Sequence, residues 1–110
     1  MTNTEIKELS FEEVQKINDQ ELLKEIEKKG TNHQRMAICF NKNVSDDLLK
    51  TIAARKNPQL LDLIVINKRL TAKDLFQYVD VSASVAIEIK NYEDCTQEML
   101  DYIDENHLIR

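Results

Sequence analysis

Residues 41–52 read Asn-Lys-Asn-Val-Ser-Asp-Asp-Leu-Leu-Lys-Thr-Ile. The stretch joins the end of one short helix to the start of another. The Ser45 hydroxyl suits a free first-turn N–H, and Asp46 and Asp47 suit the positive end of the helix dipole. Leu48, Leu49 and Ile52 then fall on one face. Most of the chain can be laid out as copies of this stretch. The helix-start residues Asp19, Ser45, Thr71 and Thr96 are spaced by 26, 26 and 25 residues. Four residues after each stands a leucine: Leu23, Leu49, Leu75 and Leu100. Seven after stand Ile26, Ile52, Tyr78 and Ile103, and seven before three of the starts stand Ile38, Ile64 and Ile89. Asn41 and Asn67 share one column, each followed by lysine, and Asn91 lies one place off it. Any helical bundle explains leucines at helical spacing. It explains less well the near-constant period and the recurrent asparagine.

Composition agrees with an all-α chain. One glycine and one proline in 110 residues are too few for the turns of a β-rich fold. Leu, Ile, Lys, Glu, Asp and Gln dominate, and most are good helix formers. The spacing predicts eight helices, at about 10–17, 19–30, 32–40, 45–56, 58–66, 71–80, 82–90 and 96–105. Ser10-Phe-Glu-Glu13 fits a capping box, Glu12 and Lys16 an i,i+4 ion pair, and Gly30 a left-handed C-terminal cap. Pro58 fits a first helical position. One helix pair cannot bury its apolar stripe alone, so stacked pairs are required. The expected fold is a small right-handed α-solenoid of about four helix pairs, a single helical-repeat domain over 1–110. Its repeats fall at about 10–30, 31–56, 57–80 and 81–105. The short first pair and the polar Asp104-Glu105-Asn106-His107 suit end caps, so a complete small protein is expected. A non-repeating eight-helix globule is the alternative.

The segments Ala37-Ile-Cys-Phe-Asn-Lys-Asn-Val-Ser-Asp-Asp-Leu-Leu49 and Ile64-Val-Ile-Asn-Lys-Arg-Leu-Thr-Ala-Lys-Asp-Leu75 resemble leucine-rich repeat variant units, which belong with the HEAT-like and armadillo-like helical repeats. Asn41 and Asn67 match the first Asn of that family's turn, Asn43 the second, and Leu49 and Ile52 the apolar pair after it. Lys42 and Lys68 stand where the family usually has Pro, Ser45 and Thr71 at its second Pro, and Asn91–Thr96 carries an extra loop residue. The resemblance covers roughly residues 32–104. It implies a superhelix of paired helices and a binding scaffold. Some members carry an N-terminal cysteine cluster for an iron–sulfur centre; this chain has none, so no cofactor is expected.

Charge is uneven. Residues 1–30 carry −3, residues 31–79 carry +4 and residues 80–110 carry −6. Lys16, Lys42 and Lys68 stand three before successive helix starts, with Glu93 at the fourth. In a solenoid they form a column, widened by Arg69, that would meet an acidic partner. Arg35, Arg55 and Lys56 lie in the same basic middle. The structural alternative is that these lysines answer the dipoles of the preceding helices. The acidic residues Glu93, Asp94, Glu98, Asp101, Asp104 and Glu105 form either a mimic of nucleic-acid charge or a solvated cap face. Asn41, Asn67 and Asn91 line a polar groove or bond their own turns. Tyr92 and Tyr102 are expected to be exposed interface anchors, while Tyr78 aligns with core isoleucines.

Catalytic and metal chemistry have little support. His33 and His107 are far apart with no ligand pattern around them. No Ser/His/Asp or Cys/His grouping and no phosphate loop occurs. Cys39 and Cys95 have no CxxC spacing and read as reduced thiols of a cytoplasmic protein. Cys95, before a helix start, is the more reactive candidate, opposed by Glu93 and Asp94. Residues 1–10 lack an apolar run, so no signal peptide is expected, and Leu63–Ile66 is too short to span a membrane. The expected function is a non-enzymatic protein-binding adaptor or small acidic inhibitor, monomeric or weakly dimeric, acting through one solenoid face. A nucleic-acid-binding module using residues 31–79 is the alternative, and the net charge of −5 opposes it.

Overall fold

Side-chain caps set where the helices begin. In the computed structural model, which describes residues 2–106, Thr2, Ser10, Thr31 and Thr71 each open a helix with a reciprocal capping box, to Glu5, Glu13, Gln34 and Asp74 respectively. Asp19 accepts from Glu21 and Leu22, Asn57 from Gln59 and Leu60, Ser45 from Leu48, and Thr96 from Met99. All four residues of the 26, 26, 25 column therefore receive a first-turn N–H. At Thr2 the hydrogen bonds to the Glu5 carboxylate hold its pKa below the ordinary value.

The described residues contain α-helices and one 3₁₀ turn, with no strand. Contacts divide the chain into two compact units, Met1–Ile52 and Ala53–Arg110. The first holds α1 (Asn3–Glu8), α2 (Phe11–Gln15), α3 (Gln20–Lys29), α4 (Asn32–Cys39) and α5 (Asp46–Ala53), the last ending at the boundary. Here α4 packs on α2 and α3, and α1 on α3. The second holds α6 (Pro58–Asn67), α7 (Ala72–Leu75) continued by the 3₁₀ turn Phe76–Tyr78, α8 (Ala83–Ile89) and α9 (Gln97–Asn106). Here α8 packs on α6, α7 and the 3₁₀ turn.

The apolar columns are the core. Leu23, Leu49 and Leu75 are fully buried, as are Ile26, Ile52 and Ile103 and Ile38, Ile64 and Ile89; Tyr78 is nearly so. Leu100 departs from its column and is only half-buried. The α1 helix was not expected from the spacing: its single buried residue, Ile6, leaves too little apolar signal. The Glu12–Lys16 pair is not formed among the described residues. The His107 end of the expected cap lies outside them.

Gly30 corrects a second expectation. Its φ of −83° and ψ of −174° are extended rather than left-handed. The positive-φ positions are instead Lys56 and Lys68, at φ 56° and 57°. Space is what Gly30 supplies. A Cβ there would lie 2.5 Å from Gln34 Oε1 and 2.6 Å from the Ile26 carbonyl. Gly30→Ala is therefore expected to lower the unfolding free energy by about 1–3 kcal/mol, the usual cost of overpacking. Urea unfolding followed by circular dichroism measures it; an unchanged midpoint would show that the chain yields there freely.

Candidate functional site

Helix ends leave carbonyls without an intrahelical partner, and side chains from later in the chain meet them here. The buried Asn41 donates through Nδ2 to the carbonyls of Val14 (2.9 Å) and Ile17 (2.8 Å), 27 and 24 residues earlier, at the end of α2. Its Oδ1 accepts from Asn43 N at 2.7 Å. In the second unit the Tyr92 hydroxyl donates to the Val65 carbonyl at 2.6 Å, again 27 residues earlier. Tyr92 stands four before Thr96, as Asn41 stands four before Ser45. So Tyr92, not Asn91, stands in the register of Asn41 and plays the same capping part. Asn91 is exposed. Asn67 accepts from Arg69 N at 3.1 Å through Oδ1, and its buried Nδ2 has no hydrogen-bond partner.

Because Asn41 turns inward, its neighbours turn outward. Phe40 is 49% exposed and Lys42 is exposed. Phe40 and Lys42 share a cleft of about 380 Å³ with Gln15, Lys16 and Asn43. Phe11 lies against Phe40 at 5.9 Å between ring centroids and against the exposed His33 at 5.2 Å. Neither Lys16 nor Lys42 has an ion-pair partner among the described residues. In the second unit Ile66, 62% exposed, precedes Asn67 as Phe40 precedes Asn41, and the exposed Lys68 follows. Lys68 and Arg69 line a cleft of about 410 Å³ with Tyr92, Glu93 and Asp94. The structure thus brings Lys16 together with Lys42, and Lys68 together with Arg69.

Three of the expected surface residues are turned to other uses. Arg35 is buried: its Nε donates to the Glu27 carbonyl at 2.7 Å and lies 3.7 Å from the Glu27 carboxylate. A guanidinium this enclosed closes the end of α3 and is removed from the basic surface. Tyr92 and Tyr102 are half-buried rather than exposed. The Tyr102 hydroxyl donates to Asp80 at 2.8 Å, and its ring meets Phe76 edge-on at 5.5 Å. Arg55 is exposed, as expected.

The acidic end is partly engaged as well. Asp94 accepts from the backbone N–H groups of Ala72 (2.9 Å) and Lys73 (3.1 Å), and the Ala72 bond chiefly holds its carboxyl below the ordinary value. Asp101 accepts from Gln97, and Asp104 pairs with Lys90. All three carboxylates remain exposed, and of them Asp104 faces the Lys90 ammonium.

Both cysteines are free thiols. Burial pushes Cys39 up to about 12. Cys95 is also raised, by burial first and then by Asp94, so the helix start does not activate it. No cluster of three or more metal-ligating side chains occurs among the described residues, and none of their helices is long and apolar enough to cross a membrane. Compared with family models, with curated proteins and with solved structures, the chain matches none.

The column assignment separates two neighbouring residues. Asn91→Ala should change stability by less than about 0.5 kcal/mol, as exposed substitutions do. Tyr92→Phe should cost about 1–3 kcal/mol by stranding the Val65 carbonyl. Equal effects in urea unfolding would undo the assignment. Burial, then Glu88 and Asp94, raise the Tyr92 phenol to about 12. An unfolded tyrosine ionises near 10. Between these values the unfolded chain has lost a proton that the native chain keeps, so stability falls as pH rises from about 10 to about 12. Tyr102 is also raised, chiefly by its hydrogen bond to Asp80, so absorbance at 295 nm should show a late-titrating component that shrinks but does not vanish in Tyr92→Phe.

Proposed function

We propose that this chain is a non-enzymatic helical-repeat scaffold that binds another protein, as an adaptor or a small acidic inhibitor. In this reading its helix pairs stack as a right-handed solenoid of the leucine-rich repeat variant, HEAT-like kind. The regular helix-start column supports the repeat, as do the two side-chain caps that each reach back 27 residues. One observation carries the binding reading. The triplets Phe40-Asn41-Lys42 and Ile66-Asn67-Lys68, one period apart, each expose a large apolar side chain and a lysine. Isolated surface hydrophobics are ordinary. An apolar residue exposed beside a cation, at the same register in each unit, suits contact with a partner's side chains.

The exposed lysines can be reversed without touching the core. Lys42→Glu with Lys68→Glu should leave the circular dichroism spectrum and the urea midpoint unchanged. It should abolish capture of whatever protein the wild-type chain retains in affinity pull-down with mass spectrometry. Undiminished capture by the folded double variant would remove these turns from the binding face.

A further inference from the structure

We infer that the Phe40 cleft of the first unit docks an acidic peptide segment carrying an apolar anchor side chain. This assignment rests on the protein-binding reading and names the chemistry of the partner. Phe40 is the aromatic wall of the cleft; Phe11 lies against it, tilted by 54°, and His33 against Phe11, tilted by 48°, so the aromatic surface is uneven rather than a flat platform. Such a surface accepts one inserted side chain better than a run of stacked bases. Its rim is basic. Lys16 and Lys42 line the cleft and have no carboxylate partner among the described residues. Asn43 N already bonds Asn41, and Glu13 is held by the Ser10 N–H, which leaves Glu12 as the nearby α2 carboxylate outside a capping box.

Charge complementarity therefore selects carboxylates flanking an apolar residue. It selects against polyphosphate, because a chain of net charge −5 with two rim lysines offers few phosphate contacts. A second copy of this chain is the poorer occupant. Its own acidic helix has no exposed apolar anchor: Met99, Leu100 and Tyr102 are half-buried and Ile103 is fully buried.

The test is an amide-resolved NMR titration of the full-length ¹⁵N-labelled chain with a short synthetic peptide of Asp, Glu, Gly and Ser around one central Phe. Saturable shifts confined to residues 11–16, 33 and 40–43 are expected. Affinity should fall about tenfold or more when the peptide Phe is changed to Ser, or when Lys16→Ala and Lys42→Ala are combined in the protein. Shifts elsewhere, indifference to the peptide Phe, or tighter binding of oligo-dT at the same amides would overturn the assignment. So would concentration-dependent self-association in sedimentation that the peptide fails to displace. If the peptide fails while Lys42→Glu with Lys68→Glu still abolishes capture, the acidic-segment chemistry is wrong and the binding face stands. If that double variant still captures, these turns are not the binding face and the assignment of this cleft falls with them.

Discussion

A helix that ends must find partners for its last carbonyls, and short helices face this need often in a small chain. In this protein side chains supply partners in addition to turn hydrogen bonds such as Leu9 N to the Ile6 carbonyl and Ile17 N to the Val14 carbonyl. Gln34 reaches the carbonyls of Ile6 and Leu9 after α1, Asn41 those of Val14 and Ile17 after α2, Arg35 that of Glu27 in α3, and Tyr92 that of Val65 in α6. The residues differ because the task is simple: one donor, long enough to arrive, buried enough to exclude water. An amide serves two carbonyls at once, a phenol serves one, and a guanidinium adds an ion pair. Packing of the apolar columns supplies most of the stabilisation. The donors decide where one helix stops relative to the next.

The same constraint shapes the surface. Consecutive residues in a tight turn cannot all face the core. Committing Asn41 inward leaves Phe40 and Lys42 outside, beside Lys16 at the end of α2. The exposed phenylalanine is thus a product of the cap's geometry: with Asn41 committed inward, position 40 is left at the surface.

Much of this was legible in the order of residues. Asp19, Ser45, Thr71 and Thr96 could be read as helix starts because capping is local, and the three-dimensional result repeats the local rule. The isoleucine columns were legible because burial follows helical spacing. Other features depend on distance in space. Arg35 reads as surface charge until the end of α3 is seen beside it. Tyr92 was hidden because a phenol and an amide share no sequence likeness, though they share a task. Gly30 looked like a left-handed cap by residue type, whereas the need for it arises from Gln34 and Ile26 crowding its Cα. The Phe11, His33 and Phe40 cluster joins residues of two helices and a turn, and no periodicity connects them.

The reach of these caps also orders the birth of the chain. During synthesis the N-terminal residues leave the ribosome first. The Val14 and Ile17 carbonyls gain their side-chain donor only when Asn41 emerges, and the Val65 carbonyl only when Tyr92 does. Helices α2 and α6 are thus each completed by a side chain 27 residues further along the chain. A nascent fragment cut between α2 and Asn41, or between α6 and Tyr92, would lack that donor.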